Sequence, residues 1–154
     1  MDSTDLKILS ALQENSGLSN IELADKIGLS PSPCLRRVRA LEEKGCIQGY
    51  RAVVDRQSVG LSVRAFVEVE MERQSGDVTQ QFLDTVGRMP EVMSCYLMTG
   101  ALDFLLDVVA TDLEAYADFT TERLISLPGV KQIRTSFVLR EVNTRHALPL
   151  SHLA

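Results

Sequence analysis

Apolar residues in the first 45 positions recur three and four apart, whereas from Val63 to Met71 they fall at every second position. The pattern predicts a helical beginning followed by strands. The first helix starts near Asp2 to Thr4, turns Ile8, Leu9 and Leu12 to one side, and stops by Gly17. Ser19 and Glu22 have the spacing of a capping box for a second helix, whose Leu23 and Ile27 point inward and whose end is Gly28. A third helix opens with Ser30 as N-cap and Pro31 as first residue, keeps Pro33 within a first turn that needs no N–H, and stops at Gly45. Leu35, Val38 and Leu41 form its inward stripe with Cys34 beside them, while Ser32, Arg36 and Arg39 lie opposite and Arg37 takes a flank. The short connection Gly28 to Ser30 is that of a helix-turn-helix, and Ile47, Tyr50, Val53 and Val54 around Gly49 suit a short hairpin or wing.

Residues 55–62 read as a linker or hinge, after which Val63, Ala65, Val67, Val69 and Met71 alternate as on a half-buried strand. A helix around QQFLDTV, strands in EVMSCYLMTG and DFLLDVVAT, a helix in DLEAYADFTTERLISL and a last strand in VKQIRTSFVLREV complete the order βαββαβ. A repeat at 38 residues pairs Phe66 with Phe104, Met89-Pro90 with Leu127-Pro128, and Val92 with Val130. It supports two interleaved βαβ halves in a ferredoxin-like sheet with helices on one face. The fold class is therefore α+β: an N-terminal winged helix-turn-helix over 1–54, a linker over 55–62, a ferredoxin-like βαββαβ domain over 63–142, and a tail over 143–154. Apolar side chains on the uncovered sheet face predict self-association.

Net charge sharpens this division. The total of -5 belongs to residues 61–154, whereas residues 1–60 carry eight Lys/Arg against eight Asp/Glu. A local arginine face can therefore meet duplex DNA despite the acidic whole. Ser32, Arg36 and Arg39, with Arg37 on the flank, are the DNA-contact candidates of this reading: small Ser32 permits close approach, and arginine suits phosphates or the O6/N7 edge of guanine. The plain alternative is a solvated amphipathic helix, but its outer N-terminal face lacks acids, Glu42 and Glu43 coming only in later turns.

The remaining composition narrows the chemistry. At 45% hydrophobic and 24% charged, with no apolar run approaching the ~20 residues of a membrane span and a charged start in MDSTDLK, the chain suits a cytoplasmic globular protein. Cys34, Cys46 and Cys95 are odd in number and widely spaced, which favours free thiols over disulfides or a zinc site. His146 and His152 lie in the tail, and no metal-ligand cluster or nucleophile–base pair accompanies Asp103, so no catalytic residue, metal or resident cofactor is expected. In MTGALDF, Gly100 allows close backbone approach and Asp103 sets a carboxylate at the start of a strand. Two readings of Asp103 stand open, an ion pair with an amino acid's ammonium and the closure of a turn on backbone. Residue chemistry alone favours the turn.

The stretch DLKILSALQENSGLSNIELADKIGLSPSPCLRRVRALEEKGCIQGYRAVVD, the turn MTGALDFLL and the final RTSFVLREV together resemble the feast/famine (Lrp/AsnC) family of transcriptional regulators. The resemblance implies a sequence-specific regulator of double-stranded DNA, with a ferredoxin-like domain that forms homodimers assembling into a higher oligomer, often an octamer. It also implies an amino acid or related metabolite as effector, bound between subunits. By this resemblance Ser30, Ser32, Pro33, Cys34, Arg36, Arg37 and Arg39 are DNA-contact candidates on the recognition-helix motif, and Met98, Thr99, Gly100, Ala101, Leu102 and Asp103 fall on the family's effector turn, with Thr135 and Ser136 of the last strand as neighbours. Ala101-Leu102 is an apolar filling where the family is often more polar, and the tail after Glu141 is read as outside the shared pattern. That tail, through Ala147-Leu148-Pro149-Leu150, is a candidate contact to a neighbouring subunit. The rival readings are a regulatory subunit of an enzyme that binds amino acids and a winged helix used for protein interaction.

Overall fold

The computed structural model describes residues 1–72, 76–143 and 147–153. The chain forms two compact units, one of Met1–Val53 joined by the segment from Val142 onward, the other Val54–Glu141.

Three helices make the first unit: α1 (Ser3–Glu14), α2 (Asn20–Ile27) and α3 (Pro31–Glu43). Asp2 caps α1, accepting from the Thr4 and Asp5 N–H groups, while Asp5 reaches back to the Asp2 N–H. Ser19 and Glu22 form the corresponding box at α2. Left-handed Gly28 (φ 73°) and Gly45 (φ 70°) end α2 and α3. At each, paired bonds recover the last carbonyls: Gly28 to Asp25 and Leu29 to Ala24, then Gly45 to Glu42 and Cys46 to Leu41. Ile8, Ala11, Leu23, Ala24, Cys34 and Leu41 are buried together between the helices.

Two expectations change here. The stripe of α3 that enters the core runs Cys34, Val38, Leu41, spaced i, i+4, i+7, whereas Leu35 stays 38% exposed at its margin. Residues 48–55 carry no strand, so the hairpin expected in CIQGYRAVV does not form within this chain. A two-stranded hairpin is marginal without a third strand or a packed face, and Val53 and Val54 remain exposed. Tyr50 fastens the segment instead, donating to Glu42 at 2.8 Å, its hydroxyl pKa pushed up to about 12 by burial and then by that carboxylate.

The second unit contains β1 (Val63–Met71), α4 (Gly76–Val86), β2 (Val92–Leu97), β3 (Phe104–Ala110), α5 (Leu113–Asp118) continuing into a π-helical turn (Phe119–Leu124), and β4 (Val130–Phe137). The sheet order is β2-β3-β1-β4, all pairs antiparallel, which is the ferredoxin-like arrangement. Ala65, Val67 and Val69 of β1 and Phe104, Leu106 and Val108 of β3 pack with Phe82, Val86, Phe119 and Leu124 from the helices. Phe82 and Phe104 meet with ring centroids 5.0 Å apart.

The repeat of 38 residues holds where Val86 and Leu124, both 0% exposed, correspond, but it slips in the first strands. Phe104 stands opposite Val69 on the helix-covered face, while Phe66 stands opposite Asp107 on the uncovered one. Core positions of β1 and β3 match one residue further on, so the connections between strand and helix absorb the difference. The uncovered face is mixed: Phe66, Leu105 and Tyr96 share it with Arg64, Asp107, Glu68 and Arg134. Among the described residues no helix is long and apolar enough to cross a membrane.

Acid should loosen helix starts before cores. The Asp2 carboxyl lies below its usual range, first through the Asp5 N–H, Glu22 through the Ser19 hydroxyl, and Asp112 through the Ala115 N–H. A depressed carboxyl pKa stabilises above its unfolded value near ~4 and loses that contribution as pH falls through the folded value. Far-UV circular dichroism is therefore expected to show helix fraying below about pH 4, with a smaller acid step in Asp2→Asn, whose capping side chain no longer titrates, and an identical profile in parent and variant would mean that the Asp2 cap is idle.

Candidate functional site

The outer face of α3 starts from an extended Ser30 (φ -77°, ψ 155°) whose carbonyl accepts the Cys34 N–H at 3.2 Å. Its hydroxyl makes no cap bond. Pro31 already fixes the helical start, so the hydroxyl is left on the surface beside exposed Ser32. Asn20, the first residue of α2, holds this start in place by donating its side-chain amide to the Pro31 carbonyl at 2.9 Å. Arg36 and Arg39 follow, exposed and without a hydrogen-bond or ion-pair partner among the described residues.

Two of the seven DNA-contact candidates leave the face. Cys34 is 0% exposed in the helical core, where burial also pushes its thiol pKa up, so its side chain cannot touch DNA. Arg37 turns back to the start of α1, where it forms ion pairs with Asp2 at 2.8 Å and Asp5 at 2.7 Å. Pro33 is half-buried at the edge. Ser30, Ser32, Arg36 and Arg39 remain as a polar, cationic surface. Exposed Arg51 in the segment after α3, also unpartnered among the described residues, was not among the sequence candidates. Its only signal was a lone cation in an otherwise apolar stretch. Because the acids of α1 already neutralise Arg37, Arg37→Ala should lower the melting temperature of the helical unit slightly and leave the salt dependence of DNA binding unchanged. A salt slope reduced as much as in an Arg36 variant would contradict this.

The turn Met98 to Asp103 is built on backbone. The Met98 N–H donates to the Asp103 carbonyl at 2.8 Å, the Asp103 N–H to Val69 at 3.0 Å, and Gly100 takes φ 121°. The Asp103 carboxylate accepts the Met71 N–H at 2.7 Å, beside the register shift between Glu70 and Met71 that interrupts pairing with β4. It therefore closes the backbone of a neighbouring strand, a role its place at a strand start did not reveal. Ala101 and Leu102 line a depression of ≈ 10 Å³ with Glu68, Glu70, Gln132 and Arg134. That volume holds about one water, so a single chain does not enclose an amino acid there.

Thr135 and Ser136, expected together near the turn, point to opposite faces. Thr135 pairs with Val67 and shares a 2.5 Å hydroxyl contact with Tyr116 on the helix-covered side. Ser136 pairs with Phe66 on the uncovered side, the side of Gln132 and Arg134. Strand alternation separates them, and Tyr116 already occupies Thr135.

Comparison with known proteins covers both halves of the chain. The Lrp/AsnC ligand binding domain matches residues 64–148, and a winged helix-turn-helix DNA-binding family matches residues 1–48. The Bkd operon transcriptional regulator of Pseudomonas aeruginosa is 46% identical over 150 residues, covering 97% of this chain and 98% of that one. The chain belongs to the Lrp/AsnC family. The leucine-responsive regulatory protein of Escherichia coli K12 is 40% identical over 148 residues, 96% of this chain and 90% of that one. The solved structure of a Neisseria meningitidis transcriptional regulator complexed with L-methionine superposes with a TM-score of 0.97 at 42% identity, covering 100% of this chain and 99% of that one. This Lrp/AsnC protein is thus a transcriptional regulator with an N-terminal DNA-binding module and a ligand-binding domain. The family match reaches residue 148, so the first part of the tail, read above as outside the shared pattern, lies within it.

Proposed function

We propose that the protein binds specific operators through Ser30, Ser32, Arg36 and Arg39, and that an aliphatic amino acid bound at the turn Met98 to Asp103 alters its assembly or DNA affinity. The observation that carries the DNA part is the unpartnered, exposed cationic face of α3, set against an Arg37 that its own chain neutralises. For the effector, support comes from apolar Ala101 and Leu102 beside Asp103, and from relatives described as leucine-responsive or as an L-methionine complex. The depression is too small alone, which suits a site closed by a second copy, as does the partly apolar open sheet face. A cytoplasmic homodimer that builds octamers, acting by binding and not by catalysis, is the form this reading takes.

Isothermal titration with all twenty amino acids, read alongside light scattering and genomic footprinting, tests it. Heat and a change in assembly are expected with leucine, methionine or another aliphatic amino acid. Neither heat nor a change in footprint with any of the twenty would overturn the effector assignment.

A further inference from the structure

The segment ALPLSHL is unused by either surface. In the structure it rests on α1. The Leu148 N–H donates to the Gln13 side-chain carbonyl at 2.7 Å, and the Gln13 side-chain amide donates back to the Leu148 carbonyl at 3.3 Å. Gln13 thus pairs with one residue of backbone as a strand partner would, donating and accepting at once. Leu148 keeps its side chain 72% exposed, whereas Leu150 is half-buried at a cavity of ≈ 660 Å³ shared with Leu9, Leu12 and Ile47. A single 3-10 turn, Ser151–Leu153, follows, closed by the Leu153 N–H on the Leu150 carbonyl at 3.0 Å.

The chain crosses between its two units twice, at 53/54 and at 141/142. Both crossings have roots in the same ion network on the second unit. Glu141 accepts from Arg64 at 2.7 Å and lies 3.4 Å from Arg56. Arg64 also grips the buried Asp107 with two bonds, at 2.9 and 2.7 Å. Arg56 further donates to the Leu61 and Ser62 carbonyls at 2.9 and 2.8 Å.

We infer that residues 147–153 are a strap belonging to the DNA-binding unit, seated by Gln13 and Leu150, which gives that unit a second tether to the ligand-binding domain beside the 54–62 linker. One tether leaves a unit free to swivel about it; a second whose root is fixed at the same place removes part of that freedom and lowers the entropy lost on binding DNA. Glu141 and Gln13 are the positioning residues of the strap, one at each end.

Hydrogen exchange on the full chain tests this without reference to any effector. Gln13→Leu, and separately deletion of residues 144–154, should each make amides of the last turns of α1 and of residues 47–53 exchange about three- to tenfold faster. The strands of the second unit should keep their protection. Gln13→Glu, which keeps the acceptor and loses the donor, should fall between. Unchanged exchange in α1 and 47–53 in both Gln13→Leu and the deletion would overturn the inference. So would protection of those amides that disappears on dilution of the parent, since the strap would then come from a second copy.

Discussion

Replacing Arg36 and Arg39 together by alanine is expected to lower affinity for a specific duplex by roughly 30-fold or more, since each well-made base contact is worth about 1–3 kcal/mol and two together about 2–6 kcal/mol. Both side chains are exposed and unpartnered among the described residues, so the substitutions remove no internal bond and should leave the melting temperature almost unchanged. The single variants separate two roles. An arginine that grips phosphate weakens binding equally on all sequences and lowers the slope of log affinity against log salt by about 1. One that reads guanine relaxes preference at one operator position. Fluorescence anisotropy between about 50 and 200 mM salt, on specific and random duplexes, reads both effects. An undiminished affinity and slope in the double variant would remove α3 as the DNA-contacting element.

Much of this surface was legible because local rules point one way. Ser19-Glu22, Gly28 and Gly45 set helix ends from their own backbone chemistry, and alternation in VRAFVEVEM allowed only one face to be buried. What the sequence did not disclose depends on residues distant along the chain. Arg37, on the flank of the outer face, stood as a DNA-contact candidate beside Arg36 and Arg39 until folding brought Asp2 and Asp5, more than thirty positions earlier, to its guanidinium. Cys34 and Leu35 are adjacent, and only the packing of α1 and α2 decides which enters the core. Thr135 and Ser136 look like one pair in sequence, yet the pleat separates them. The 38-residue repeat misaligned Phe66 with Phe104 because its spacing is kept in the helices and not in the first strands.

Asp103 is where the turn-closing and ligand-binding readings meet, and its variants should divide them. Asp103→Ala leaves the Met71 N–H without its acceptor at the β1 bulge, a loss of about 1–3 kcal/mol for a hydrogen bond to a charged group in a half-buried place. Asp103→Asn keeps a side-chain carbonyl for that N–H and removes only the charge, so most of the stability should return. If the carboxylate serves backbone alone, the asparagine variant should also retain its response to the amino-acid effector. If its second oxygen receives the ligand's ammonium, the response should be lost in both variants, at least tenfold in effector concentration for a charge-assisted bond of about 1.5–3 kcal/mol. Thermal unfolding and calorimetric titration of the same three proteins decide between these results. The expected outcome is a stable Asp103→Asn that no longer responds, since the carboxylate's two oxygens allow it to hold the β1 bulge and a ligand together, and a fully responsive Asp103→Asn would leave it only the role of closing the backbone of β1.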